Sequence, residues 1–93
     1  MENLVKIKLT KLSERKDAEV PNNIQEGEYR IGYVDKDKLK AIVGLSYVVP
    51  AVEQINDEAV SPIFHYFYTS QLIEIIDELT FKTLNSIYKI ELL

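Results

Sequence analysis

Short runs of β-branched and aromatic residues, separated at regular intervals by turn-forming residues, constrain this chain more than any other feature. In LVKIKLT, residues 4–10, Val5, Ile7 and Leu9 fall on one side and Lys6, Lys8 and Thr10 on the other. A period of two predicts a strand with one buried and one wet face. YRIGYVD, residues 29–35, repeats the pattern with Tyr29, Ile31 and Tyr33. Gly32, on the opposite side, marks a bulge or a close backbone approach. LSYVVP, residues 45–50, is rich in β-formers and ends at Pro50, while KLKAIVG before it is ambiguous. FHYFYTS, LIEIID, TFKTLN and SIYKIELL follow as short strand-like runs, with Asp77-Glu78 and Asn85-Ser86 as turn or bulge signals.

Two segments admit a helix. In PAVEQINDEAVSP, Ala51, Ile55 and Ala59 recur at spacings of four between Pro50 and Pro62. SQLIEIIDEL could be capped by Ser70, but its three isoleucines, followed by Thr80 and Phe81, favour strands. SERKDAEVPNNIQEGE, residues 13–28, reads as a long surface loop. The expected fold is all-β with at most one short helix. It is a small SH3-like barrel of five to seven short strands, since closure avoids exposed edges.

The chain has 93 residues, enough for one core and a single domain over 1–93. With 46% hydrophobic and 28% charged residues it belongs with soluble globular proteins and not with disordered ones. There is no cysteine, which removes disulfides, thiolate metal sites and cysteine nucleophiles. MENLVKIKLTKL alternates apolar residues with lysines and so lacks the apolar core of a signal peptide. No apolar run approaches the roughly 18 residues of a membrane span, so no membrane partner is expected and the cytoplasm is the default compartment.

Chemistry is sparse. Three separated glycines build no phosphate loop, and one histidine without cysteine builds no common zinc site. His65 has no second metal ligand at a recognisable spacing, and DKDK lacks the rest of a calcium loop. Any serine could be nominated as nucleophile with His65 as base, and none is singled out. The expectation is a protein that is not an enzyme and needs no cofactor or metal.

Residues 69–91, TSQLIEIIDELTFKTLNSIYKIE, carry a composite pattern: Thr69-Ser70, an isoleucine-rich strand, then Phe81-Lys82-Thr83, Asn85-Ser86, Tyr88 and Glu91. This resembles the C-terminal TS…FKTxNSxYxxE pattern of small uncharacterised β-barrel proteins from bacteria, phages and mobile elements. It covers about a quarter of the chain, and Gln71 replaces the proline that commonly follows TS there. The resemblance implies a compact barrel of phage or mobile-element origin and no particular activity. Read from the residues alone, Thr69-Ser70 would end a strand and Asn85-Ser86 would sit in a bulge, which makes the pattern structural before functional.

FHYFYTS, residues 64–70, holds four aromatic residues and the sole histidine. As a strand it would put Phe64, Tyr66 and Tyr68 on one face and His65, Phe67 and Thr69 on the other. Its first-ranked role is the core, its second a protein interface, its third a stacking platform for single-stranded nucleic acid. His65 reads as a satisfied structural group.

Net charge is −4 and uneven. Residues 1–16 carry five cations against two acids, and residues 41–93 seven acids against two lysines. No lysine or arginine lies between 41 and 81, which disfavours nucleic acid and favours a basic partner. The functional expectation is a protein-interaction module using Phe64, Tyr66 and Tyr68 to bind a protein partner of basic character. In a phage setting it would inhibit or modulate a host protein such as a defence system. The alternatives are a small nucleic-acid-binding barrel using Lys6, Lys8 and Lys11, and a structural protein that self-associates by pairing edge strands. Partner identity and oligomeric state are open at this stage.

Overall fold

The structure, a computed structural model, describes residues 3–14 and 24–93. Among these residues it is all-β, apart from one 3₁₀ turn over Lys36–Lys38. Eight strands follow in chain order: β1 (Leu4–Glu14), β2 (Tyr29–Asp35), β3 (Ser46–Val49), β4 (Ala51–Ile55), β5 (Glu58–Ala59), β6 (Phe67–Asp77), β7 (Thr80–Thr83) and β8 (Ser86–Leu92). They form one antiparallel sheet in the order β3-β6-β7-β8-β1-β2-β4-β5, curled into a half-barrel.

The eighth strand comes from the segment that admitted a helix. Residues 51–59 are a hairpin, because Asn56 at φ 52° makes the tight turn and is then anchored on three sides. Its N–H donates to Tyr29 O (2.9 Å), its Oδ1 accepts from Tyr29 N–H (2.9 Å) and its Nδ2 donates to Glu28 Oε2 (2.9 Å). Asparagine is one of the few residues that tolerates positive φ, so the turn costs little.

Pro50 alone separates β3 from β4, and the two halves of that run pair with different neighbours. Val49 lies opposite Phe67 of β6, whereas Ala51 lies opposite Tyr33 of β2. A residue without an N–H suits the point where the ladder changes partner. Gly32 makes the crossing possible. A Cβ there would lie 2.8 Å from Val49 Cγ1 and 3.0 Å from Val52 Cα, and would run into the Ala51 carbonyl oxygen. The β2–β4 register also shifts between Ile31 and Gly32, so both sequence expectations for this glycine are met.

The core is built from Ile7 and Leu9 of β1, Val34 of β2, Val49 and Val52 around the kink, Leu72 of β6 and Ile90 of β8. A chain of rings runs through it: Tyr47–Phe81 at 5.2 Å, Phe81–Tyr88 at 5.7 Å and Tyr88–Phe67 at 6.1 Å between centroids. Each such pair adds about 0.5–1.5 kcal/mol to its area burial.

Three further expectations are corrected. β1 runs through Ser13 and Glu14, so the loop expected from residue 13 starts later; residues 15–23 of it lie outside the described residues. Ile24, on its far side, is buried in the core. Thr69-Ser70 does not end a strand but lies inside the continuous β6, where these two residues stand opposite the single residue Tyr47 of β3. Asn85 lies in the turn between β7 and β8 and not in a bulge. There Thr83 Oγ1 accepts from the N–H groups of Asn85 (3.2 Å) and Ser86 (3.0 Å).

Candidate interaction surface

Alternation from Tyr66, the residue just before β6, into the start of the strand sends Phe67 and Thr69 inward and Tyr66 and Tyr68 outward. The inward pair is fixed. Phe67 packs on Tyr88, and Thr69 Oγ1 accepts from Tyr47 N–H (3.0 Å) and donates to Ser70 O (2.7 Å). The outward rings are therefore carried on an anchored backbone. Tyr66 and Tyr68 are 66% and 61% exposed, with centroids 6.0 Å apart and planes within 10° of parallel. One side of the segment, Phe67 and Thr69, thus takes the first-ranked role in the core, and the Tyr66–Tyr68 side does not, because the interior beside β6 is already filled by the Tyr47–Phe81–Tyr88 rings.

Phe64 does not share the strand. It lies in a turn closed by its own N–H to Ser61 O (3.2 Å), is 79% exposed, and among the described residues forms no ring pair with Tyr66 or Tyr68. His65 is tied on two sides: its Nδ1 lies 2.9 Å from Ser61 O, and its carbonyl accepts from Val52 N–H (2.9 Å). A ring nitrogen facing a carbonyl donates, so the imidazole closes the turn onto Ser61 while the His65 backbone carbonyl ties it to β4.

The apolar surface continues past the tyrosines. Val48 lies opposite Tyr68 on β3 and is exposed. β3 is one end of the sheet, and along it runs a groove of about 620 Å³ that includes Leu4, Ile42, Leu45, Tyr47, Val48 and Pro50. This extension was not anticipated, although SYVV, apolar at both parities, signals a strand with no wet face.

The lysines of the nucleic-acid alternative are engaged within the molecule. Lys6 Nζ pairs with Glu53 Oε1 at 3.1 Å. That contact raises the lysine pKa, while hydrogen bonds from Tyr33 and Lys6 lower that of Glu53. Lys8 Nζ sits 4.4 Å above the Tyr29 ring. Lys11 is only 1% exposed, with Nζ 2.7 Å from Ile24 O and 3.2 Å from Glu14 Oε1. A cation so enclosed presents nothing to a phosphate.

No family model, curated protein or solved structure matches this chain. The chemistry of the surface is read from its own residues. Among the described residues no three or more His, Asp or Glu side chains converge to hold a metal ion. No helix among them is long and apolar enough to cross a membrane.

Proposed function

We propose that this protein is a non-enzymatic interaction module that binds a protein partner through Tyr66 and Tyr68, with Val48 continuing the contact. The observation that carries the reading is the stacked, outward tyrosine pair on a strand whose inward residues are locked. Rigid tyrosines provide large contact area at small entropic cost, and exposed aromatic clusters of this kind are what interface hot spots are made of. The six acids and absent Lys and Arg of residues 41–81 favour a basic partner over a polyanion. The C-terminal resemblance adds a phage or mobile-element setting, in which the partner would be a host protein.

The test is an affinity capture from source-cell lysate with tagged wild type and with Tyr66→Ala/Tyr68→Ala, each with and without nuclease. Because both rings are exposed, the double variant should keep its fold, with circular dichroism and unfolding midpoint close to wild type. A stoichiometric protein that survives nuclease and is lost with the variant is the expected result. Nuclease-sensitive recovery of RNA or DNA, equal for both proteins, would overturn the reading and favour Lys6 and Lys8 as contacts.

A further inference from the structure

Two aromatic rings of this protein are covered by its own cations. Lys8 Nζ lies 4.4 Å from the centroid of Tyr29, and Arg30 Cζ lies 5.7 Å from that of Phe67. The Tyr66–Tyr68 pair is more exposed, yet among the described residues no cation stands over it. The segment that carries it, residues 41–81, has six acids and neither Lys nor Arg. The charged residues along the adjoining groove, Asp35, Asp37, Lys38 and Lys40, cancel one another. The pair is thus a π surface in a negatively biased segment, without a cation of its own.

We infer that the Tyr66–Tyr68 pair receives an arginine side chain from a basic segment of the protein partner, its guanidinium stacked on the phenol rings. The inference rests on the interaction-module reading and names the chemistry of its partner. A ring face is the negative pole of the aromatic quadrupole, so it attracts a cation held above it. Arginine suits the site better than lysine because its guanidinium is planar, sheds water more readily and lies flat on a ring. The two exposed, near-parallel rings, 6.0 Å apart, present π faces on which a planar group lies flat and a compact ammonium does not. A nucleobase would stack equally well on the rings, but residues 41–81 bring no Lys or Arg to hold its phosphates.

The experiment is an NMR titration of the full chain, observing Tyr ring protons, with three unstructured peptides of alternating glycine and one varied residue. The varied residue is arginine, lysine or citrulline, the last being planar like arginine but uncharged. The arginine peptide should shift the Tyr66 and Tyr68 ring signals. It should also bind more tightly than the citrulline peptide by roughly 2- to 5-fold per ring contact. Tyr66→Leu/Tyr68→Leu keeps apolar area but removes the π faces, and should weaken arginine binding by about 5- to 30-fold. Equal affinity for arginine and citrulline, unmoved ring signals, or full binding by the leucine variant would each overturn the inference. The peptide comparison needs no altered protein, so it stands even if the leucine variant fails to fold. If the arginine peptide leaves the rings unmoved while Tyr66→Ala/Tyr68→Ala still loses its captured partner, the arginine inference falls and the interaction module stands. If capture is also insensitive to the alanines, both fall.

Discussion

Lys11 gives the most direct test of the packing. Its side chain is 1% exposed, and its ammonium donates to Ile24 O at 2.7 Å and to Glu14 Oε1 at 3.2 Å. The first bond ties the return of the 13–28 segment to β1 from inside the fold. A buried hydrogen bond to a charged group contributes about 1.5–3 kcal/mol. The Glu14 contact adds no more than about 1 kcal/mol, because its carboxylate side chain is 37% exposed and screened. Lys11→Met keeps the buried stem and removes only the ammonium, so the expected loss is about 2–3 kcal/mol. With a urea slope of about 1.5 kcal/mol/M, the unfolding midpoint should fall by about 1.3–2 M at unchanged slope. Glu14→Gln, which spares the Ile24 bond, should shift it far less. A wild-type midpoint for Lys11→Met would refute the reasoning, since it would mean the ammonium makes no bond worth keeping.

Gly32→Ala would drive a Cβ against the Val49–Val52 kink, where backbone atoms cannot give way, at a cost of about 1–3 kcal/mol or more. At about 4–8 °C per kcal/mol, thermal unfolding should reveal it, and an unchanged melting temperature would exclude the close approach. Burial pushes the phenols of Tyr47 and Tyr88 up to about 12, above their unfolded value near 10. Their stabilising contribution is therefore complete below about pH 10 and is lost as pH rises toward 12. Far-ultraviolet circular dichroism and tyrosinate absorbance should change together in that window, and early titration of every tyrosine with the fold intact would contradict the burial.

Much of the fold was legible because strand parity is a local signal. β2 occupies the run read from the sequence, Tyr29–Asp35, but its sides are exchanged: Gly32 and Val34 face the core, whereas Tyr29, Ile31 and Tyr33, expected to be the buried side, are only half-buried, because the close approach at Gly32 sets the inward face. Parity also gave Lys11 its buried position, since it shares the odd-numbered side with Ile7 and Leu9. Grouping it with Lys6 and Lys8 by charge instead was the error. Other features were beyond a parity rule. A spacing of four, as in Ala51 and Ile55, repeats on one face of a strand as well as of a helix, so it could not separate the two; Asn56-Asp57 was the better sign. The bulge at Thr69-Ser70 resets parity within β6, so that Thr69 and Leu72 both face inward. The tyrosine strip was undecidable because both sides of FHYFYTS are aromatic. Only the volume already taken by Tyr47, Phe81 and Tyr88 decides which side faces out.

The placement of β1 beside β8 has a kinetic meaning. Ile7 lies opposite Leu92 and Leu9 opposite Ile90, so the earliest and latest strands meet in the middle of the sheet. The hairpins β4–β5, β6–β7 and β7–β8 can form from neighbouring residues, but the seam that joins the two halves must wait for the final strand. Closing so long a loop costs only about 2 kcal/mol more than closing a ten-residue hairpin. The delay itself matters more, because sheets joined by distant pairs fold in milliseconds to seconds. Ile73, Ile75 and Ile76 of β6 stay exposed even in the finished sheet, and during that interval they are open to other chains together with the unpaired strand edges; Glu74 and Asp77, interleaved with them, are charges of the kind that disfavour such encounters. Refolding yield should therefore depend on protein concentration, even where the stability of the finished molecule does not.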